Sequence, residues 1–105
     1  MAKQYPFGRG KERLVAQNLK RHRAKPELSP GSRGITDIKA PFRSGKLWRI
    51  QVKATRAGEP TPPSPKELGR LKSSATRSNA TPVVAYVKGK KISYYSARTG
   101  QKLKP

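Results

Sequence analysis

A few polar residues in this sequence could together hold a metal ion beside a phosphate. Asp37 interrupts a β-branched stretch, where aspartate is disfavoured. Gln51 and Lys53 lie two residues apart in a stretch that alternates apolar and polar residues. Because residues i and i+2 of a strand share a face, a hairpin of the two stretches would bring all three side chains to one polar side. Glu12 opens a helical stretch that could cover the same edge.

These residue types suit metal-assisted cleavage of a phosphodiester. Mg²⁺ takes oxygen ligands, commonly one or two carboxylates with retained waters, and it acts as a Lewis acid and as the source of a hydroxide-like nucleophile. Lys53 could orient the attacking water or stabilise the charge that develops on the phosphate oxygens. A simpler interpretation stays open: Glu12 gains helix-dipole stabilisation, and Gln51 and Lys53 form the solvated face of a strand.

The charge of the chain favours a polyanionic partner. Its 105 residues include 25 Lys and Arg but five Asp and Glu, for a net charge of +20. This excess argues against an ordinary metabolic enzyme and for nucleic acid. The chain has no cysteine, so disulfides, thiolate metal sites and cysteine nucleophiles are excluded.

The length suffices for one domain, which we expect over residues 1–105. A flexible basic N-terminal segment (about residues 1–8) and a frayed C-terminal tail (about residues 99–105) are expected at its ends. No stretch approaches the ~20 apolar residues of a membrane span, and the first residues lack the apolar centre of a signal peptide. We therefore expect a cytoplasmic protein without membrane contact.

Six elements are predicted to position the polar residues. The clearest is a helix headed by Ser64 as N-cap, Pro65 at the first position and Glu67 at the third, a capping box that gives Glu67 a structural role. In chain order we predict a helix over residues 10–23 and two strands, 35–40 and 47–54, that form an antiparallel hairpin. The helix headed by Ser64 follows, and then two strands over 82–87 and 92–96. The order predicts an α/β or α+β domain in which helices flank a small central mixed sheet.

Several segments, in this order, resemble one known family. They are residues 8–15 (GRGKERLV), the loop 29–34, residues 35–38 (ITDI), 50–55 (IQVKAT), 69–71 (GRL) and 82–85 (PVVA). The sequence resembles the archaeal-type Holliday junction resolvases of the PD-(D/E)XK nuclease superfamily. The likeness covers nearly the whole chain, and the order of the segments carries more weight than any single motif.

The resemblance implies a restriction-endonuclease-like core with metal and catalytic roles at Glu12, Asp37 and Lys53. It also implies that Ser32 lies near the scissile phosphate and that Arg13 contacts DNA or supports the site. Thr36 replaces the proline of the superfamily's name, and Gln51 stands where the family has a carboxylate. An amide oxygen can ligate Mg²⁺ but carries no charge. Gln51 is therefore expected to weaken metal binding, or Glu12 and Asp37 are expected to contribute more of it. We expect activity to be retained, because those acids and the lysine are present.

The resemblance thus predicts a Mg²⁺-dependent endonuclease, with Mn²⁺ expected to substitute, that cuts four-way DNA junctions with paired symmetric nicks. Two symmetric cuts by a chain with one site imply a homodimer. No small-molecule cofactor is expected. Basic side chains should hold phosphates and so position the DNA: Lys3, Arg9, Lys11, Arg13, Lys20, Arg21, Arg23 and Arg33.

Two alternatives stay open at this point. Composition alone fits a non-catalytic basic nucleic-acid-binding protein of ribosomal or architectural type. A repair or restriction-type nuclease of the same superfamily would carry the same acidic and basic residues. Metal-dependent cutting of a four-way junction distinguishes the first alternative, and comparison with a linear duplex distinguishes the second.

Overall fold

Two helices and six strands make up the part of the chain that the structure, a computed structural model, describes: residues 6–28, 38–55 and 62–105. In chain order they are α1 (Pro6–Arg21), β1 (Glu27–Leu28), β2 (Ile38–Pro41), β3 (Leu47–Thr55), α2 (Pro65–Arg77), β4 (Thr81–Lys88), β5 (Lys91–Ser96) and β6 (Lys102–Leu103). None of the helices in these ranges is long and apolar enough to cross a membrane.

The strands form one mixed sheet in the order β1-β2-β3-β4-β5-β6. The central pair, β3 and β4, is parallel, and every other neighbouring pair is antiparallel. Parallel neighbours need a crossover connection, which here contains α2. The predicted α+β fold with a small mixed sheet between helices is therefore confirmed.

One face of the sheet packs against α1. Trp48 and Ile50 of β3 are buried there together with Val15 and Leu19 of α1, and Val52 and Ala54 of β3 are partly buried against them. Trp48 also contacts Tyr94 of β5, with ring centroids 5.5 Å apart. This face holds most of the apolar core, because β3 alternates from Trp48 to Ala54 and turns the apolar residues of that stretch to one side.

The other face is covered by α2, which buries Leu71 and Ala75. The odd-numbered residues of β3 lie on this side, and Arg49 donates from Nε to Ser78 Oγ over 3.1 Å. Since α1 and α2 lie on opposite faces, the sheet separates them. Residues Pro82 to Ala85 of β4 are buried, as expected for a strand covered on both sides.

The first helix differs from its predicted range of 10–23 at both ends. It begins at Pro6 and ends at Arg21. The helix stops there because Arg23, two residues later, adopts a left-handed conformation with φ of 68°. Ala24 N–H donates to the Leu19 carbonyl and Arg23 N–H donates to the Lys20 carbonyl, which is a Schellman motif. Glycine is the usual residue at this position, and its absence from the sequence concealed the helix end.

Regular elements occur near both ends of the described chain. The tail predicted to be frayed over about residues 99–105 contains β6, whose Leu103 pairs with Tyr94 and whose Lys102 pairs with Tyr95. Of the segment predicted to be flexible over about residues 1–8, residues 6–8 belong to α1 and the rest lie outside the described residues.

The predicted hairpin is confirmed from Ile38 onward, since β2 and β3 pair antiparallel with Ile38 opposite Ile50. Residues 35–37 of the predicted strand lie outside the described residues. Gly45, with φ of 103°, provides the positive dihedral angle in the turn between the two strands.

Candidate functional site

Two predicted site residues meet a carboxylate on the α2 face of β3. Lys53 Nζ lies 3.1 Å from Glu67 Oε2 and 3.3 Å from Glu67 Oε1. Gln51 Nε2 donates to Glu67 Oε2 over 3.3 Å. The sequence correctly predicted that Gln51 and Lys53 share a polar face, and the structure adds Glu67 of α2 to that face. We refer to Gln51, Lys53 and Glu67 as the Glu67 cluster.

The start of α2 fixes the position of this carboxylate. Ser64 is the N-cap: its Oγ accepts from Glu67 N–H over 3.2 Å, and its own N–H donates to Glu67 Oε1 over 2.9 Å. The predicted capping box is therefore confirmed, with Pro65 at the start of the helix. The Glu67 carboxylate thus receives hydrogen bonds from its own helix on one side and from β3 on the other.

The surroundings of Glu67 favour its ionised form. The backbone N–H of Ser64 is the largest cause that holds the pKa of Glu67 below its ordinary value of 4.5, followed by the hydrogen bond from Lys53. The side chains of Lys53 and Glu67 are 25% and 40% exposed. The cluster therefore presents an ionised carboxylate and an ammonium group to solvent, where a phosphate or a cation can reach them.

Gln51 carries the other notable atom of the cluster. Its Oε1 is buried and has no hydrogen-bond partner among the described residues. Buried amide oxygens are nearly always paired, so this atom has an unused capacity to accept. An amide oxygen and a carboxylate oxygen are both donor types that suit Mg²⁺, but the Gln51 amide turns its Nε2 and not its oxygen toward Glu67. Within the described ranges no group of three or more His, Cys, Asp or Glu could hold a metal.

Of the other predicted catalytic residues, the structure describes Glu12. It is partly buried on α1, the helix that packs on the face of the sheet opposite α2. Asp37 and Ser32 lie outside the described residues. Their predicted roles in metal binding and catalysis stay predictions, and the carboxylate that the structure joins to Gln51 and Lys53 is that of Glu67.

The predicted DNA-binding residues fall into three groups. Lys3 and Arg33 lie outside the described residues, and Arg9 and Lys11 belong to the first half of α1. The exposed members are Arg13, Lys20, Arg21 and Arg23.

A basic surface, separate from the Glu67 cluster, lies around the C-terminal end of α1. Arg23, Lys25 and Arg43 line a surface pocket of about 730 Å³, and His22 and Lys46 line a neighbouring pocket of about 380 Å³. We call these five residues the Arg23 surface. It lies at the end of the sheet where β3 begins, whereas the Glu67 cluster lies toward the end of β3. The two sites are therefore at opposite ends of the sheet.

The sequence predicted a capping role for Glu67 and no role in a site. Lys25, Arg43 and Lys46 were not among the predicted DNA-binding residues. A signal for Glu67 was present: a helix that connects parallel strands begins near the carboxyl end of the first strand. For Arg43, the pairing of Ala24 with Phe42 brings the hairpin turn beside α1, which no local pattern indicates.

This mixed sheet, with one helix packed on each face, is a fold shared with a solved Holliday junction resolvase. The chain is similar to Hjc, a Holliday junction resolvase from the archaeal hyperthermophile Archaeoglobus fulgidus, with 20% sequence identity and a TM-score of 0.75 over 87% of this chain and 73% of that chain.

The similarity confirms the predicted likeness to the resolvases at the level of the fold. No protein-family model matches the sequence, and no curated protein matches it significantly.

Proposed function

We propose that this protein is a structure-selective, metal-dependent endonuclease that resolves four-way DNA junctions by paired symmetric nicks. The observation that carries the proposal is the Glu67 cluster: an amide, an ammonium group and a carboxylate meet on one face of β3. The resolvase fold and the net charge of +20 support it, because both suit a nucleic-acid substrate.

Each residue of the proposed site has a role that its chemistry allows. Lys53 would donate to a non-bridging phosphate oxygen or hold the attacking water, and Gln51 would offer its amide oxygen, which has no partner among the described residues, as a ligand. Asp37 directly precedes Ile38, the partner of Ile50, and is proposed as an anionic metal ligand. Glu12 and Ser32 keep the metal-binding and phosphate-side roles that the resemblance implies. Mg²⁺ or Mn²⁺ would supply a Lewis acid and a bound water of lowered pKa.

The proposal extends to the assembly and the partner. A homodimer would place two sites on opposed strands of the junction, since one chain carries one proposed site. Basic residues at both ends of the sheet would bind phosphates without recognising bases, so selectivity would depend on the shape of the branched DNA.

Cleavage of a synthetic four-way junction tests this function. With Mg²⁺, the wild type is expected to cut the junction, whereas Asp37→Asn and Lys53→Ala should lower the cutting rate by roughly 100-fold or more at unchanged junction binding. Lys72→Ala is the matched control, because it removes the same charge from the exposed side of α2.

Two results would overturn the proposal in different ways. If the wild type binds the junction but does not cut it with any divalent cation, the protein is a basic nucleic-acid-binding protein. If it cuts a linear duplex of matched arm sequence as fast as the junction, it is a different nuclease of the same fold.

A further inference from the structure

We propose that an uncharged groove beside Lys53 binds an unstacked nucleobase of the branched DNA, next to a phosphate that Lys53 contacts. The groove lies between the start of α2 and strands β4 and β5, where Leu68 and the rings of Tyr86 and Tyr95 line it. We call it the tyrosine groove. The inference rests on the proposed function and deepens it, because it names the part of the substrate that this groove would recognise.

The lining of the tyrosine groove suits a flat, uncharged ring. Its volume of about 340 Å³ lies within the range of small-molecule sites. Val84 is buried in it, whereas Leu68, Tyr86 and Tyr95 are partly exposed, and the two tyrosine rings lie 5.7 Å apart at 69°. None of the described residues that line it is charged, although the chain carries a net charge of +20. A groove of this kind offers nothing to a phosphate, but aromatic side chains bind bases by stacking.

The register of the sheet brings this groove beside the proposed site. In the parallel pair of β3 and β4, Val84 lies opposite Gln51 and Tyr86 lies opposite Lys53. On the other side of β4, Val84 is the partner of Tyr95. Neighbouring strands are about 4.8 Å apart. A row of side chains on the α2 face therefore runs from the proposed site into the tyrosine groove within one or two strand spacings.

The start of α2 contacts both places. Glu67 accepts from Lys53 on β3, and the next residue, Leu68, lines the tyrosine groove. A nucleotide has the two parts that these adjoining surfaces would bind, since its phosphate is anionic and its base is an uncharged ring. The proposed site and the groove are thus arranged for the two ends of one nucleotide.

A base in this groove would favour branched DNA over a linear duplex. Taking a base out of the helical stack costs free energy, and the cost is lowest where pairing is already disturbed. The branch point of a junction offers such bases, whereas every base of a linear duplex is paired and stacked. Stacking on an aromatic ring also tolerates any base, so the groove would recognise the shape of the DNA and not its sequence.

Junction binding in the presence of a chelator tests the inference, because the DNA then stays uncut. Tyr86→Leu keeps an apolar side chain but removes the ring. It should weaken binding of a four-way junction by roughly tenfold and leave the affinity for a linear duplex of matched arm sequence unchanged. Tyr86→Phe is the matched control: it keeps the ring and should bind the junction as the wild type does. Ala97→Leu puts a larger side chain into the lining with both rings in place, and it should also weaken junction binding.

Junctions with single abasic nucleotides around the branch point identify the base that is bound. At one position, loss of the base should weaken binding by the wild type roughly tenfold, and Tyr86→Leu should add no further loss there, because both changes remove the same contact. Losses that add at every position would overturn the inference.

Three further outcomes would overturn it. The first is unchanged junction binding in both Tyr86→Leu and Ala97→Leu, and the second is an equal loss on junction and duplex. The third is a change of oligomeric state in Tyr86→Leu, measured by sedimentation, which would make the groove an interface between copies of this chain.

Junction cutting with Mg²⁺ separates this inference from the proposed function. If the wild type cuts the junction but the ring of Tyr86 and the base are not coupled, the inference fails and the function stands. If they are coupled but no divalent cation supports cutting, the function fails and the tyrosine groove stands as a base-binding site.

Discussion

The carboxylate of Glu67 takes part in two local structures at once. Oε1 closes the capping box with Ser64, and both oxygens contact Lys53. Ser64 N–H and Lys53 both favour the ionised form, so the pKa of Glu67 is lower in the folded chain than its ordinary value of 4.5. A group with a lowered pKa stabilises the folded state while it is ionised.

The stabilising effect of Glu67 is therefore expected to depend on pH. It should be complete well above pH 4.5 and should decrease as the pH falls through the folded-state pKa, since the unfolded chain then binds more protons. Urea unfolding of the wild type and of Glu67→Gln, repeated between neutral and acidic pH, should show a difference in unfolding free energy that shrinks in acid. Glu27→Gln, at an exposed position, is the control. A difference that stays constant into strong acid would contradict this account.

Local sequence signals were sufficient for one role of Glu67 and insufficient for the other. The capping box spans four residues, so its pattern is visible in the sequence. The contact with Lys53 spans 14 residues and depends on the path of the chain from β3 into α2. Predicting it would have required knowledge that β3 and β4 are parallel.

At the level of elements, alternation in the sequence predicted β3 well. The alternating residues from Trp48 to Lys53 assign the apolar side chains to the α1 face and the polar ones to the α2 face, as the structure shows. Two features had no local signal. The helix end at Arg23 occurs without the usual glycine, and β6 exists because it pairs with β5.

The hydrogen bond between Tyr94 and Asn18 connects β5 to α1. Tyr94 Oη donates to Asn18 Oδ1 over 2.7 Å, and burial raises the pKa of this phenol above its usual range. Tyr94→Phe keeps the ring contact with Trp48 but leaves the Asn18 oxygen without this donor. We expect the unfolding free energy to fall by about 1 kcal/mol, measured by chemical denaturation.

Tyr95→Phe is the matched control for this substitution. Tyr95 lies on the opposite face of β5, where its ring contacts Tyr86 at 5.7 Å. The control should change stability less than Tyr94→Phe does. Equal losses in the two variants would show that the hydrogen bond to Asn18 contributes no more to stability than the Tyr95 hydroxyl does.

At the scale of the whole molecule, the chain carries a net charge of +20, and its Arg23 surface is separate from the Glu67 cluster. The Glu67 cluster lies toward the end of β3, and the Arg23 surface lies where β3 begins. Under the proposed function, this separation predicts that substitutions can alter binding and cutting independently. The sequence predicted the polyanionic partner from charge alone, but the concave Arg23 surface depends on the packing of the β2–β3 turn against α1.

The Arg23 surface is expected to contribute to DNA binding and not to the chemical step. The double variant Arg23→Ala with Arg43→Ala should weaken junction binding, and the slope of log affinity against log salt should become shallower by about 0.9 for each phosphate that the variant no longer neutralises. The cutting rate at saturating protein should not change. Binding isotherms over a series of salt concentrations and single-turnover cutting measure the two effects.

Lys72→Ala with Arg77→Ala removes the same charge from exposed positions of α2 and serves as the control. An equal loss of affinity and an equal change of slope in the control would indicate a diffuse effect of total charge. A lower cutting rate at saturation in the Arg23 and Arg43 variant would place these arginines in the chemistry.

The position of β4 has a consequence for amide hydrogen exchange. This strand is bonded to β3 on one side and to β5 on the other, and its residues from Val83 to Ala85 are buried. Their amide protons should therefore exchange with deuterium only when the whole domain unfolds. The first turn of α2 begins at exposed residues and can open locally, so its amides should exchange well before those of β4, whose rate serves as the internal reference.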